Sequence, residues 1–422
     1  MNRAINGIHW SNSAQWHNEQ ALRAVGDNGA LTCLHYQLFP VDPISGLHGE
    51  DENCLWYGKW RYGFPPQGIP SRPEMLIHLR IYHPNWTQLD PVRLAEQTAE
   101  LLGNWRGSRD HAGLTANLWD DPFVLVSPCN EQDIEPTPPS DLVWHASTYE
   151  RYADFQLRWL RRLDDLVPHR KALTLTGAFA GGHDPMDGPA PVPDGEYQIG
   201  AVREMLHAFD VVGVHAYALM NDPNRLSAPW QRNAFWYMLR PWRPVGYKDE
   251  TDVGGVISQY PALTYFFSEC GTFTHADKAR TGDTAEAIRE FYAKAATSGN
   301  VIGACPFIWH SGNEHSENRI WPNEELRGRL ETMPRFTTSA AVPVRGATPP
   351  PEPPPPPPPA PDGYAVGPGV KAAMEAEGDA PASNEIYIGA DPFSLTMGAS
   401  GTLYAYTPPT GVVAYDPKAP GQ

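Results

Sequence analysis

The chain has 422 residues, enough for one large domain with an appendage or for two or three ordinary domains. Its 49 acidic against 32 basic side chains leave a formal charge of -17, which argues against nucleic acid or an anionic membrane as partner, because both reward a basic surface. No apolar stretch reaches the roughly 18 residues that a membrane-spanning helix needs.

The N-terminus, MNRAINGIHW, lacks the apolar core of a signal peptide and enters strand-like sequence at once. The expectation is a cytoplasmic chain, or one exported by a route not encoded here. Eight short apolar runs then follow, at residues 7–10, 31–36, 75–82, 123–129, 172–176, 211–217, 263–269 and 301–309. Helical patterns lie between most of them. Asp90 and Pro91 open VRLAEQTAELLGNWR as cap and first helical residue. In STYERYADFQLRWLRRLDDLV, Ser147 and Glu150 have capping-box spacing, and Tyr152, Phe155, Trp159, Leu163 and Leu166 form one apolar face. TAEAIREFYAKAATSGN and NEELRGRLETM flank the last run. Between the second and third runs the chain is rich in Pro and Gly, with no helix predicted.

Strands apolar throughout and separated by helices predict a parallel sheet covered on both faces. Eight such units, with no glycine-rich phosphate loop after the first, favour a (β/α)8 barrel over an open doubly wound sheet. This α/β barrel is assigned residues 1–340. Residues 341–361 contain TPPPEPPPPPPPAP, which cannot form helix or sheet ladders and predicts a stiff polyproline spacer, with an SH3-type ligand as the alternative. Residues 362–422 predict a small α+β accessory domain: a helix in GPGVKAAMEAEGDAP, then strands in EIYIGA and TLYAYTPPTGVVAYDP. The five cysteines, Cys33, Cys54, Cys129, Cys270 and Cys305, are odd in number and form no close pair; reduced thiols are expected.

In a (β/α)8 barrel the active site lies at the C-terminal ends of the strands. The fourth run, within VLVSPCNEQDIE, stops at Asn130 and Glu131, and the seventh, LTYFFSECG, reaches Glu269. An acid in mid-strand would be buried at a cost of several kcal/mol, whereas at the strand's end it is half desolvated and useful. Glycoside hydrolysis needs such a pair, one carboxyl group protonating the leaving oxygen and the other attacking the anomeric carbon. The sixth run, VGVHAYA, puts His215 and Tyr217 on one side of a strand. The eighth, ACPFIWHSG, places Trp309 at the rim as a sugar platform, with barrel packing as its alternative. Asp133 and Glu135 fall past the strand and read as loop surface.

With these residues in place the chain resembles clan A of the glycoside hydrolases, most closely the cellulase-like family five, over about residues 5 to 335. The resemblance implies a retaining mechanism with Glu131 as acid/base and Glu269 as nucleophile. It implies that Asn130 holds the sugar 2-hydroxyl, that Tyr217 of His215-Ala216-Tyr217 touches the nucleophile, and that Trp309 lies under the sugar. The family's arginine beside the nucleophile ordinarily comes from strand two, whereas the nearest candidate, Arg80, falls in the third run; either the strand count is off by one or another cation replaces it. An oligo- or polysaccharide is the expected partner, with no metal or other cofactor.

Two aromatic segments follow strand ends, CLWYGKWRYGF (54–64) and APWQRNAFWYMLRPWRP (228–244). Each either walls a substrate cleft, with Trp60 and Trp236 as test positions, or packs. Two other functions compete with glycoside hydrolysis: a metal-dependent barrel hydrolase with His9, His35, His83 and His215 as ligands, and a non-catalytic glycan-binding barrel.

Overall fold

The computed structural model describes residues 3–9, 24–25, 29–37, 61–63, 70–82, 89–106, 115–129, 146–178, 195–218, 238–245, 253–272, 281–307, 320, 323–345, 388–390, 393–397, 403–407 and 411–415. The chain divides into two units, Met1–Thr348 and Pro349–Gln422.

The strands of the first unit are β1 (Arg3–Ala4), β2 (Gly7–His9), β3 (Ala30–Gln37), β4 (Leu76–Tyr82), β5 (Trp105–Arg106), β6 (Thr115–Ala116), β7 (Val124–Ser127), β8 (Leu173–Thr174), β9 (Val212–Ala218), β10 (Tyr265–Thr272), β11 (Val301–Pro306) and β12 (Thr337–Thr338). Its helices are α1 (Pro91–Gly103), α2 (Ala146–Leu166), α3 (Gly200–Ala208), α4 (Val256–Gln259), α5 (Thr281–Thr297) and α6 (Glu324–Thr332). Each of the eight apolar runs contributes a parallel strand. One sheet has the order β2-β3-β4-β7-β8 and another β11-β10-β9. Single parallel bridges join them, Leu175 to Val211 at one seam and Asn6 to Ala304 at the other.

Alternation along these strands separates two cores, because successive side chains point to opposite faces. Leu76, Leu125, Leu173, Leu175, Val211, Phe266 and Ile302 pack together on one side. Ile77, Leu79, Val124, Val126, Val212, Val214, Phe267 and Val301 face the other way, into the core that includes Leu94, Leu102, Trp159, Leu163, Met205 and Phe291 of the helices. The first side grows polar toward the C-terminal strand ends: along β4 it carries Leu76, then His78, then Arg80, all buried.

The helix caps follow from sequence. Asp90 accepts from Val92 N at 3.0 Å with Pro91 at the first position of α1, and Asn323 accepts from Leu326 N at 3.1 Å to start α6. Tyr152, Phe155, Trp159 and Leu163 are buried as the apolar face of α2 predicts, but Leu166 at its end is exposed. That helix begins at Ala146, one residue before the predicted cap Ser147. Between β3 and β4, the buried Arg61 donates to the carbonyls of Arg72 at 2.8 Å and Pro73 at 2.7 Å, and its Nε lies 2.7 Å from Asp121.

Two pairings of the first unit lie outside the sequence reading. β1 pairs antiparallel with β12, joining the two ends of the first unit, and β5 pairs with β6. The second unit contains four antiparallel strands in sequential order, β13 (Ile388–Ala390), β14 (Phe393–Met397), β15 (Leu403–Thr407) and β16 (Gly411–Tyr415). The polyproline run and the predicted helix after it lie outside the described residues. Cys129, Cys270 and Cys305 are buried. Among the described residues, no helix is long and apolar enough to cross a membrane.

Candidate active site

Glu269 sits on β10 and is almost wholly buried. The ladder continues past it to Thr272, so it is not the strand's last residue as the sequence suggested. Strict alternation from Phe266 would turn it toward the helices with Phe267. A register shift intervenes: Phe267 pairs with Val214 and Glu269 with the next residue, His215, leaving Ser268 as an extra residue. Such a bulge re-aims the side chain that follows it, and here both Ser268 and Glu269 make their contacts with His215.

Each carboxylate oxygen of Glu269 has two electropositive neighbours. Arg80 Nη1 donates to Oε1 at 2.7 Å, and His9 Nδ1 lies 3.7 Å from the same oxygen. Tyr217 donates its hydroxyl to Oε2, and His215 Nδ1 lies 3.6 Å from it. Burial pushes the Glu269 carboxyl up, but His215, Arg80, His9 and the Tyr217 bond outweigh burial and hold it well below the usual carboxylate range. The group is therefore an oriented, desolvated anion near neutral pH. An ionised carboxylate so placed can attack an electrophilic carbon or stabilise a developing positive charge.

Aromatic rings pack beside the groups that hold Glu269. The His9 and Phe307 rings meet edge-on with centroids 4.6 Å apart, and Tyr217 meets Phe307 similarly at 6.1 Å. In the layer below, His78 Nε2 and Ser127 Oγ are 2.8 Å apart and His78 lies edge-on to Phe266. Burial pushes the Cys270 thiol up, and Cys305 and Glu269 add to the effect; this thiol beside the site is inert at neutral pH.

No family model matches this chain, and no curated protein does. Solved structures resemble it at low identity. They are glycoside hydrolases. A family 128 endo-β-1,3-glucanase from Sorangium cellulosum is 11% identical over 78% of this chain and 99% of its own, with TM-score 0.39. A family 5 xyloglucan-specific endo-β-1,4-glucanase from a metagenomic library is 10% identical over 78% and 96%, with TM-score 0.43. A family 39 glycoside hydrolase from Bacteroides cellulosilyticus is 11% identical over 96% and 71%, with TM-score 0.44.

Of the residues selected from sequence, the structure brings Arg80, His215, Tyr217 and Glu269 into one cluster. Arg80 does come from the third strand of the parallel order, since β3 lies between β2 and β4. Asn130, Glu131 and Trp309 lie outside the described residues, as do Asp133, Glu135, His83, Trp60 and Trp236 and the His35 side chain. His9, weighed as a metal ligand, faces Glu269 instead. Among the described residues no group of three or more His, Cys, Asp or Glu side chains is arranged to hold a metal ion. Sequence reasoning missed Ser268, His78, Ser127 and Phe307. Ser268 carried one signal, a hydroxyl directly before the acid in an otherwise apolar run. From the second aromatic segment, Trp242 packs on Phe267 and Phe291 at 5.1 and 5.4 Å, behind β10.

Proposed function

We propose that this chain is a retaining glycoside hydrolase whose first unit is a (β/α)8 barrel. The buried Glu269 anion, gripped on one oxygen by Arg80 and on the other by Tyr217, carries this reading. Eight parallel strands in chain order, bridged at both seams, support the barrel. In such a ring the residues just past β7 leave from the same edge as Glu269, which is where Asn130 and Glu131 follow in sequence. The polyproline run then spaces the barrel from a small accessory domain at residues 362–422.

In the first step the Glu269 carboxylate attacks the anomeric carbon while Glu131 gives its proton to the glycosidic oxygen, so the C–O bond breaks and a glycosyl-enzyme ester forms. In the second, the Glu131 carboxylate takes a proton from water, the resulting hydroxide attacks the same carbon, and Glu269 leaves as carboxylate. Atoms and charge balance with two carboxyl groups and one water. Asn130 binds the 2-hydroxyl, Trp309 stacks beneath the sugar, and Tyr217 and Arg80 keep the leaving carboxylate ionised. The substrate is a β-linked oligo- or polysaccharide.

The deciding experiment screens aryl β-glycosides and polysaccharides with wild type and Glu269→Gln, following the anomer of the first product by NMR. Retention with wild type and no turnover with the variant are expected. Inversion, or turnover by Glu269→Gln, removes Glu269 as nucleophile.

A further inference from the structure

The inner end of β10 holds one buried polar side chain that the proposed reaction does not use. Ser268, 2% exposed, has its Oγ 3.0 Å from His215 Nε2, a contact made possible by the register shift between Phe267 and Glu269. Arg80 Nη2 lies 3.4 Å from the same ring nitrogen, while Nδ1 lies 3.6 Å from Glu269 Oε2. Among the described residues, the charged or titratable groups near the ring include Glu269 from β10, Arg80 from β4 and Tyr217 from β9, with His9 of β2 on the far oxygen of the carboxylate.

These contacts discriminate among the protonation states of the ring. A guanidinium can only donate and a carboxylate can only accept. A neutral ring protonated on Nε2 sets that N–H against Arg80 and points a lone pair from Nδ1 at the carboxylate, so both contacts are repulsive. An imidazolium satisfies the carboxylate but opposes a second cation at 3.4 Å in a buried site. A neutral ring protonated on Nδ1 satisfies both sides. A serine hydroxyl can donate or accept, and beside that tautomer it donates.

We propose that Ser268 is a positioning residue: its hydroxyl donates to His215 Nε2 and, with Arg80, fixes the neutral tautomer whose Nδ1–H faces Oε2 of Glu269. This deepens the reading of Glu269 as nucleophile, since an Nδ1–H facing Oε2 joins the Arg80 and Tyr217 bonds in orienting the carboxylate.

Nitrogen-15 NMR of the full chain labelled at histidine tests this without substrate, with His215→Asn identifying the resonances. At neutral pH the wild type should show Nδ1 protonated and Nε2 bare. At the same pH Ser268→Ala should lose that single pattern, with the Nε2–H tautomer appearing beside it, and Ser268→Thr, which keeps the hydroxyl, should restore it. A wild-type ring protonated on Nε2 or on both nitrogens overturns the proposal, as does a folded Ser268→Ala whose His215 signals are unchanged. If Ser268→Ala does not fold, the wild-type tautomer and Ser268→Thr still decide. The proposed function fails separately: an inactive chain with the Nδ1–H ring refutes hydrolysis alone, and an active hydrolase with the Nε2–H ring refutes the role of Ser268 alone.

Discussion

Arg80 and Glu269 are opposite charges buried together, 2% and 4% exposed, so each is costly without the other. Removing one partner of such a pair leaves an uncompensated buried charge and costs about 3–5 kcal/mol. Arg80→Met is therefore expected to lose stability of that order at neutral pH, read by urea unfolding, and to lose less in acid, where Glu269 can take a proton. The sign for the wild type is the depressed-carboxylate case. With its folded pKa held below the ordinary 4.5, Glu269 contributes stability that is complete above the unfolded value and is lost as pH falls through the folded one. Unfolding followed from pH 7 into acid should show a steeper loss in wild type than in Glu269→Gln. Equal slopes would mean that this carboxyl is not depressed.

The relevant element is β10, whose two faces do different work. Phe267 and Phe291 meet edge-on at 4.9 Å on the helix side, with Trp242 against both, and this packing backs the strand at the point where its register shifts. Phe291→Ala should cost about 3–5 kcal/mol as a buried aromatic truncation, and in the folded fraction it should reduce kcat more than KM because Glu269 loses its backing. The neighbouring seam depends on Gly213, where a Cβ would lie 2.3 Å from the Thr176 carbonyl oxygen. That contact is backbone and cannot swing aside. Gly213→Ala is expected to destabilise by roughly 1–3 kcal/mol through overpacking, measured by thermal unfolding, and a neutral result would mean that the seam is pliable.

At the scale of the molecule, the first unit is fastened end to end. Asn6 donates to the Pro334 carbonyl at 3.1 Å and accepts from Phe336 N at 2.9 Å. Ala340 is buried in the inner apolar core, Val342 packs against it, and Arg345 is paired with Asp164 and Asp210. Truncation after Thr348 should leave the main unfolding transition and any hydrolytic activity unchanged, whereas truncation after Phe336 should lose cooperative unfolding, because it deletes β12 and uncovers that core.

Much of this was determined by the sequence. Eight apolar runs specified eight parallel strands because a strand covered on both faces has no position for exposed polar groups. Asp90 and Pro91 marked a helix start because the first backbone N–H groups need acceptors and proline has none to satisfy. The positions of His215, Tyr217 and Glu269 at or near the ends of apolar runs put them on one side of the molecule, and the family resemblance added Arg80 and the contact between Tyr217 and Glu269. Tertiary structure alone decided how they meet. Periodicity along β10 would send Glu269 to the helix side, and it is pairing with β9 and β11 that shows the extra residue that turns it inward beside Ser268. The ionisation of Glu269 likewise belongs to no local pattern: burial and four neighbours from β2, β4 and β9 oppose one another there, and electrostatic balance depends on distances between residues that the chain holds far apart.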